Sequence, residues 1–434
     1  MGQYHIRQSR VMGQLDIGGS KNAVLPILAA VCLHKGKSEI TNCPRIADTF
    51  ISIEILKHIG CNVAFTDNNL YVDATEINEI SIPVEWVGQM RSSILFMGAL
   101  LGRLGQVNIA NPGGCDIGSR SICYHLDGLR AMGATITPID DILYCSGQLK
   151  GTQVNLETAS VGATENLMLA ATLAKGQTII TNAATEPEVV DLSRFLRGMG
   201  ATIYGAGTNK IIIDGVAQLN STSHRVIPDR IVAGTYLVAA AMTGGKITVK
   251  NIYPRDMIAT TKKLTEMGCT VNQGSDFITL VGPKRLKSIP YLETSEHPGF
   301  PTDMQAQFVA ALSLADGHSI VKERIFDNRN AHATALRLMG GDVKSQQASI
   351  SESPKKEITI FDIKGQSTLI GTTVEAHDLR GGAALVLAGL AAKGETIVKG
   401  AKYIERGYEC IEKELSEVGV DIIKYEDMEP ASLI

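Results

Sequence analysis

The apolar and polar positions fall into a pattern that returns six times. Apolar helical stretches rich in small residues run over Val24 to Ala30, Ser93 to Leu101, Leu167 to Ala174, Leu237 to Met242, Phe308 to Leu314 and Ala383 to Ala392. They are apolar nearly all round, which predicts helices buried inside a domain rather than lying on its surface. Each stretch leads to a glycine and then a β-rich segment. The glycines are Gly36, Gly105, Gly176, Gly245, Gly317 and Gly394, spaced 69 to 77 residues apart. A loop and a second helical stretch follow, with the endings Ile59-Gly60-Cys61, Met132-Gly133-Ala134, Met199-Gly200-Ala201, Met267-Gly268-Cys269, Met339-Gly340-Gly341 and Val418-Gly419-Val420. Glycine there suits the left-handed residue that closes a helix. Six such units in 434 residues predict an α/β or α+β protein of two domains, three units in each.

The starts of the six apolar helices are polar. In chain order they are Ser20-Lys21-Asn22, Met90-Arg91-Ser92, Ser160-Val161-Gly162, Asp229-Arg230, Thr302-Asp303 and Asp378-Leu379-Arg380. Helix N-termini carry free N–H groups and partial positive charge, so they attract anions. Three starts on one face of each domain, with the two faces opposed, predict a cleft of focused positive potential. Lys21, Arg91, Arg120 and Arg380 add formal charge to it. The stretch Asn111 to Arg120 contains three glycines, Pro112, the thiol of Cys115 and the guanidinium of Arg120. It predicts a loop in which nearby positive charge activates a thiol.

Composition narrows the function classes. A net charge of −4 argues against a chain-wide electrostatic footprint for nucleic acid, though not against a local anion site. The eight cysteines form no CxxC pair and no zinc-ligand spacing, so they read as reduced thiols, with no disulfide scaffold and no metal. The first residues hold no apolar leader, and the longest apolar run, Gly381 to Ala392, is far short of the ~18 residues of a membrane span. The expected location is cytoplasmic. The polar stretch after Gln346, with Ser349, Ser351, Ser353, Lys355 and Lys356, reads as a surface insertion.

The chain resembles the UDP-N-acetylglucosamine enolpyruvyl transferase (UDP-N-acetylglucosamine 1-carboxyvinyltransferase) family over essentially its whole length. The motifs that carry the resemblance are Gly18-Gly19-Ser20-Lys21-Asn22, Pro112-Gly113-Gly114-Cys115 to Arg120, Ser160 to Thr164, Glu186-Pro187-Glu188, Pro228-Asp229-Arg230, Pro298 to Gln305, Asp378-Leu379-Arg380 and Arg406-Gly407-Tyr408-Glu409. The resemblance implies two inside-out α/β barrel domains, each of three repeated units with buried helices and outward sheets. The first domain covers 21–228 and carries the Cys115 loop as a lid. The second is discontinuous, 1–20 with 229–434. The implied reaction moves the enolpyruvyl group of phosphoenolpyruvate to the 3′-hydroxyl of UDP-N-acetylglucosamine and releases phosphate, by addition and elimination, in peptidoglycan precursor synthesis. By resemblance Asp303 is the base near the sugar hydroxyl, and Cys115 is the acid and aids product release. Lys21, Arg120 and Arg406 hold the phosphate, and Arg91 and Arg380 complete the cationic pocket. Asn22 bonds the sugar or the intermediate, and Ser160, Val161, Gly162 and Ile325 complete the substrate contacts. No cofactor is implied, and fosfomycin is implied as a covalent inhibitor at Cys115.

Three positions depart from that family's pattern. After Arg120 the family has Pro-Val/Ile-Asp-Leu-His in the segment that contacts uracil, whereas this chain has Ser121-Ile122-Cys123-Tyr124-His125. Val232 stands where the family tends to glutamate, and Thr158-Ala159 where it often has a basic residue. Two alternatives therefore stay open at this point: transfer to another nucleotide or nucleoside acceptor, and a weakly active paralogue that regulates.

Overall fold

The computed structural model describes residues 2–113, 122–350 and 353–426. Cys115, Arg120 and Ser121, and the lid proposed around them, lie outside the described residues. The described residues divide into two compact units. One consists of 18–113 and 122–228, the other of 2–17 and the described part of 229–426. Each has its own apolar core.

In the first unit the buried helices are Lys21–Ala30, Leu95–Leu104 and Val161–Thr172. In the second they are Arg230–Met242, Gln305–Leu312 and Leu379–Ala391. Glycine lets them approach closely. A Cβ at Gly98 would stand 2.4 Å from both the carbonyl and the side-chain oxygen of Asn166, and one at Gly234 would stand 2.9 Å from Met304 Sδ. Real Cβ atoms do not tolerate such contacts, so the small residues that the sequence repeats are packing requirements.

Among the described residues six four-stranded sheets cover these helices, and all six share one strand arrangement. In four of them a strand before the buried helix pairs in parallel with the strand after it, as in Gln153–Asn155 against Gln177–Thr181. Two further strands pair antiparallel, as in Gln177–Thr181 with Lys210–Asp214 and Lys210–Asp214 with Thr202–Tyr204. A parallel pair needs a long crossover, and the buried helix supplies it. Residues along the central strands alternate inward and outward, so each sheet lays one face on the helices.

Distant parts of the chain complete three of the sheets. Thr222–Arg225 pairs with Lys37–Thr41. Met12–Asp16 pairs with Lys246–Lys250. Gln3–Arg7 lies between Glu395–Lys399 and Ile422–Tyr425. The second helices of the units close at glycines with positive φ, from Gly60 at 107° to Gly419 at 86°, in the conformation expected of them.

The stretch after Gln346 corrects the sequence reading. It is not an insertion but the far end of the strand Asp342–Ile350, which pairs with Ser353–Lys364 through Gln347 opposite Thr359 and Ser349 opposite Glu357. A two-stranded ribbon projecting beyond its sheet has no core to face, which is why its residues are polar. Among the described residues, no helix is long and apolar enough to cross a membrane.

Candidate active site

In the second unit the starts of the three buried helices meet. Asp303 sits in the short turn Thr302–Met304 that opens the Gln305–Leu312 helix. Its Oδ2 lies 3.2 Å from Arg380 Nη2, at the start of the Leu379–Ala391 helix. Its Oδ1 lies 2.9 Å from Arg329 Nη2. The side chains of Arg380 and Arg329 are 2% and 5% exposed and that of Asp303 is 22% exposed, so the carboxylate faces outward between two buried guanidiniums. Burial works against the Arg380 charge, but Asp303, Tyr408 and Asp229 more than offset it and raise its pKa. Arg329 Nε is buried without a hydrogen-bond partner, whereas Arg380 also bonds the Tyr408 hydroxyl. Buried donors of this kind are rare and need an explanation.

Carboxylate caps fix the other two helix starts. Asp378 Oδ1 accepts from the backbone N–H of Arg380 and Gly381 at 3.1 and 2.9 Å. Asp229 Oδ1 accepts from Ile231 and Val232 at 2.8 and 2.9 Å. Such caps satisfy donors that a helix end otherwise leaves open. Val232, one of the departures, is buried in the first turn. Arg406 lies half-buried in the turn after the short helix Ala401–Ile404. Two residues on, buried Tyr408 anchors that turn: its hydroxyl is 2.8 Å from Thr235 Oγ1, and its ring lies 5.6 Å from the Arg380 guanidinium carbon.

Glu323, fully buried at the end of the strand His318–Glu323, ties two loops together. Its Oε1 accepts from Thr294 Oγ1 at 2.9 Å, from the Ile325 N–H at 2.8 Å and from the Phe326 N–H at 3.1 Å. Its Oε2 accepts from Thr302 Oγ1 at 2.8 Å. Burial raises its pKa, while Arg329 and these donors pull the other way.

In the first unit Lys21 opens the Lys21–Ala30 helix with Asn22 beside it. Its Nζ lies 2.8 Å from Asp48 Oδ2, with side chains 11% and 2% exposed. Arg91 begins the turn Arg91–Ile94, and its Nη1 donates to the Pro112 carbonyl at 3.2 Å, at the base of the cysteine loop. Ser160 caps the Val161–Thr172 helix, its Oγ accepting from Ala163 N–H at 3.3 Å. His125 lies between the last two of these helix starts: Asn166 Nδ2 is 3.1 Å from its Nδ1, and a Cβ at Gly162 would be 3.3 Å from its ring. Burial first, and Arg91 second, push His125 down to about 4, so it stays neutral at pH 7. Two departures touch: Tyr124 Oη lies 3.3 Å from Thr158 Oγ1. Cys123 is exposed at the start of the Cys123–Ala131 helix. In the Glu186-Pro187-Glu188 motif, Glu188 and Glu186 add to the burial that holds the carboxyl of Glu165 well above its usual range.

The structure thus brings Asp303 and Arg380 into contact, and Tyr408 and Glu323 tether the segments of Arg406 and Ile325 to the same helix starts. It adds Arg329, Glu323 and Asp48, which the sequence reading missed, and it buries His125, which that reading named only within the segment after Arg120. Arg329 had one faint signal, its place in the Asp327-Asn328-Arg329 loop ahead of a helix.

The comparisons with known proteins agree with this arrangement. The family model described as EPSP synthase (3-phosphoshikimate 1-carboxyvinyltransferase) matches residues 6–415. The solved enolpyruvyl transferase NikO from Streptomyces tendae superposes with a TM-score of 0.84 at 23% identity, covering 98% of this chain and 99% of that one. An EPSP synthase from Acinetobacter baumannii gives 0.70 at 20% identity, covering 98% and 100%. The fold is therefore that of the carboxyvinyl (enolpyruvyl) transferases, the class that the sequence motifs resembled. UDP-N-acetylglucosamine 1-carboxyvinyltransferase 2 of Caldanaerobacter subterraneus subsp. tengcongensis is 48% identical over 426 residues, 98% of this chain and 100% of the relative. The Coxiella burnetii UDP-N-acetylglucosamine 1-carboxyvinyltransferase is 44% identical over 414 residues, 94% of this chain and 93% of its own length. The chain belongs to the UDP-N-acetylglucosamine 1-carboxyvinyltransferase family.

Proposed function

We propose that this protein transfers the enolpyruvyl group of phosphoenolpyruvate to the 3′-hydroxyl of UDP-N-acetylglucosamine and releases phosphate, in the cytoplasm, as a step of peptidoglycan precursor synthesis. The observation that carries the reading is Asp303, outward-facing between Arg329 and Arg380, in a chain whose relatives at 44–48% identity carry that activity in their name. Phosphoenolpyruvate bears about three negative charges at neutral pH, and a site that excludes water must balance them with fixed cations.

In the addition step Asp303 takes the proton of the 3′-hydroxyl as the sugar oxygen bonds to C2 of phosphoenolpyruvate. Cys115 gives a proton to the C3 methylene, and C2 becomes a tetrahedral ketal bearing both the sugar oxygen and the phosphate oxygen. In the elimination step the new methyl group returns a proton to the Cys115 thiolate, the vinyl double bond re-forms, the bond from C2 to the phosphate oxygen breaks, and phosphate leaves with the proton that Asp303 took. Lys21, Arg120 and Arg406 hold the phosphate. Arg91 and Arg380 stabilise the carboxylate and the charge that develops. Asn22, Ser160, Val161, Gly162 and Ile325 bind the nucleotide sugar.

Fosfomycin, an epoxide that mimics phosphoenolpyruvate, tests the assignment of Cys115. The thiolate sulfur attacks an epoxide carbon and the ring C–O bond opens. Peptide mass mapping is expected to find the adduct on Cys115, with loss of turnover in proportion to labelling. Cys269 is buried and its thiol is pushed up to about 12 by burial, which makes it a poor nucleophile. An adduct on Cys269 or on exposed Cys123, with Cys115 unlabelled, contradicts the assignment.

A further inference from the structure

We propose that Glu323 is a positioning residue of the reaction: through Thr302 and Arg329 it sets the Asp303 carboxylate, and through its backbone bonds it sets Ile325. The inference rests on the reading of Asp303 as the base, and it assigns a role to a group that touches no substrate.

The geometry forms a directed chain. Thr302 has one hydroxyl proton, and it goes to Glu323 Oε2 at 2.8 Å. That leaves the Thr302 oxygen as an acceptor, and Arg329 Nη1 donates to it at 2.8 Å and to the Thr302 carbonyl at 2.8 Å. With Nη1 so fixed, the planar guanidinium has one orientation, and its Nη2 meets Asp303 Oδ1 at 2.9 Å. A guanidinium fork is rigid, so fixing one nitrogen fixes the other. On the opposite side Glu323 Oε1 takes three donors: Thr294 Oγ1 and the N–H groups of Ile325 and Phe326. Thr294 Oγ1 in turn accepts from the Arg324 N–H at 2.9 Å. One buried carboxylate therefore joins the strand end to the Asp303 turn and to the loop that presents Ile325 and Arg329.

The site needs a carboxylate here, because all four groups facing Glu323 are donors. An ionised carboxylate accepts all of them. A glutamine keeps the shape but puts an NH2 group toward one donor. If that is Thr302, its hydroxyl must turn away and the Arg329 bond to it weakens, so one of the restraints on Asp303 loosens. A displacement of about 1 Å at a catalytic group costs about a hundredfold in rate.

The test is a double-mutant cycle of Glu323→Gln and Asp303→Asn, read as kcat, KM for both substrates and thermal midpoint. Glu323→Gln alone is expected to lower kcat by about 10–100-fold with KM for phosphoenolpyruvate changed far less. In the Asp303→Asn background the same change is expected to cost less than about threefold, because what it positions is already gone. Equal losses in both backgrounds, or a loss confined to the thermal midpoint, overturn the proposal. If Asp303→Asn alone turns over near normally, the base assignment itself fails, which is a separate outcome. Should Glu323→Gln not fold, Thr302→Val cuts the chain at its middle and leaves Glu323 its backbone donors. It is expected to lower kcat in the same way, and an unchanged kcat overturns the proposal.

Discussion

Replacing Asp303 by asparagine is expected to lower kcat by about 10²–10⁴-fold, the range for loss of a general acid or base. Nucleotide-sugar binding, measured calorimetrically, should remain mostly in place. Asparagine is the informative choice. Alanine would leave the buried Arg329 and Arg380 guanidiniums facing an empty space, and an uncompensated buried charge is strongly destabilising. Asparagine still offers one carbonyl oxygen to Arg329 or Arg380, so the helix starts stay near their places while the basic oxygen is lost. The thermal midpoint is expected to fall as well, since two side chains that are 5% and 2% exposed lose their carboxylate. Turnover within a few-fold of the parent protein would remove Asp303 from proton transfer.

Lys21→Met is expected to have two separable effects. It removes the ammonium 2.8 Å from the buried Asp48 carboxylate, and breaking a buried pair from one side costs about 3–5 kcal/mol. It also removes one of the three cations proposed for the phosphate. Adding Asp48→Asn makes the site neutral again and should restore most of the stability. Turnover should stay depressed by at least about a hundredfold, because a fixed charge on the leaving phosphate is missing at the transition state. If Lys21→Met with Asp48→Asn recovers turnover along with stability, the lysine serves the fold and not the chemistry.

The sequence made the helices legible and left the sheets' edges hidden. The apolar stretches and their closing glycines are local signals, so the buried helices and the left-handed caps at Gly60, Gly133, Gly200, Gly268, Gly340 and Gly419 could be read directly. The pairing of Gln3–Arg7 with Glu395–Lys399 could not, because it joins segments nearly four hundred residues apart. Residues at helix starts, such as Lys21, Asp303 and Arg380, stood out through their repeated placement. Arg329 and Glu323 sit in no repeated position. They act through a hydrogen-bond chain that exists only once a strand end and two loops meet. Polar residues after Gln346 were misread because a projecting ribbon and a loop share the same composition.

The family relationship also bears on the alternatives that the sequence left open. Changes at Cys123, Tyr124 and Thr158 concern a small part of the chain, and the side chains of Tyr124 and Thr158 lie together. Relatives named for UDP-N-acetylglucosamine match 94–98% of the chain at 44–48% identity. The nearest of the solved folds described above is only 23% identical and speaks to architecture alone.

Phosphate release from phosphoenolpyruvate, followed with UDP-N-acetylglucosamine, with UMP and with no acceptor, tests the central claim most directly. The account predicts release with UDP-N-acetylglucosamine, matched one for one by an enolpyruvyl ether at the 3′-oxygen. Release that depends on UMP instead, or no release with any acceptor from folded protein, would contradict it.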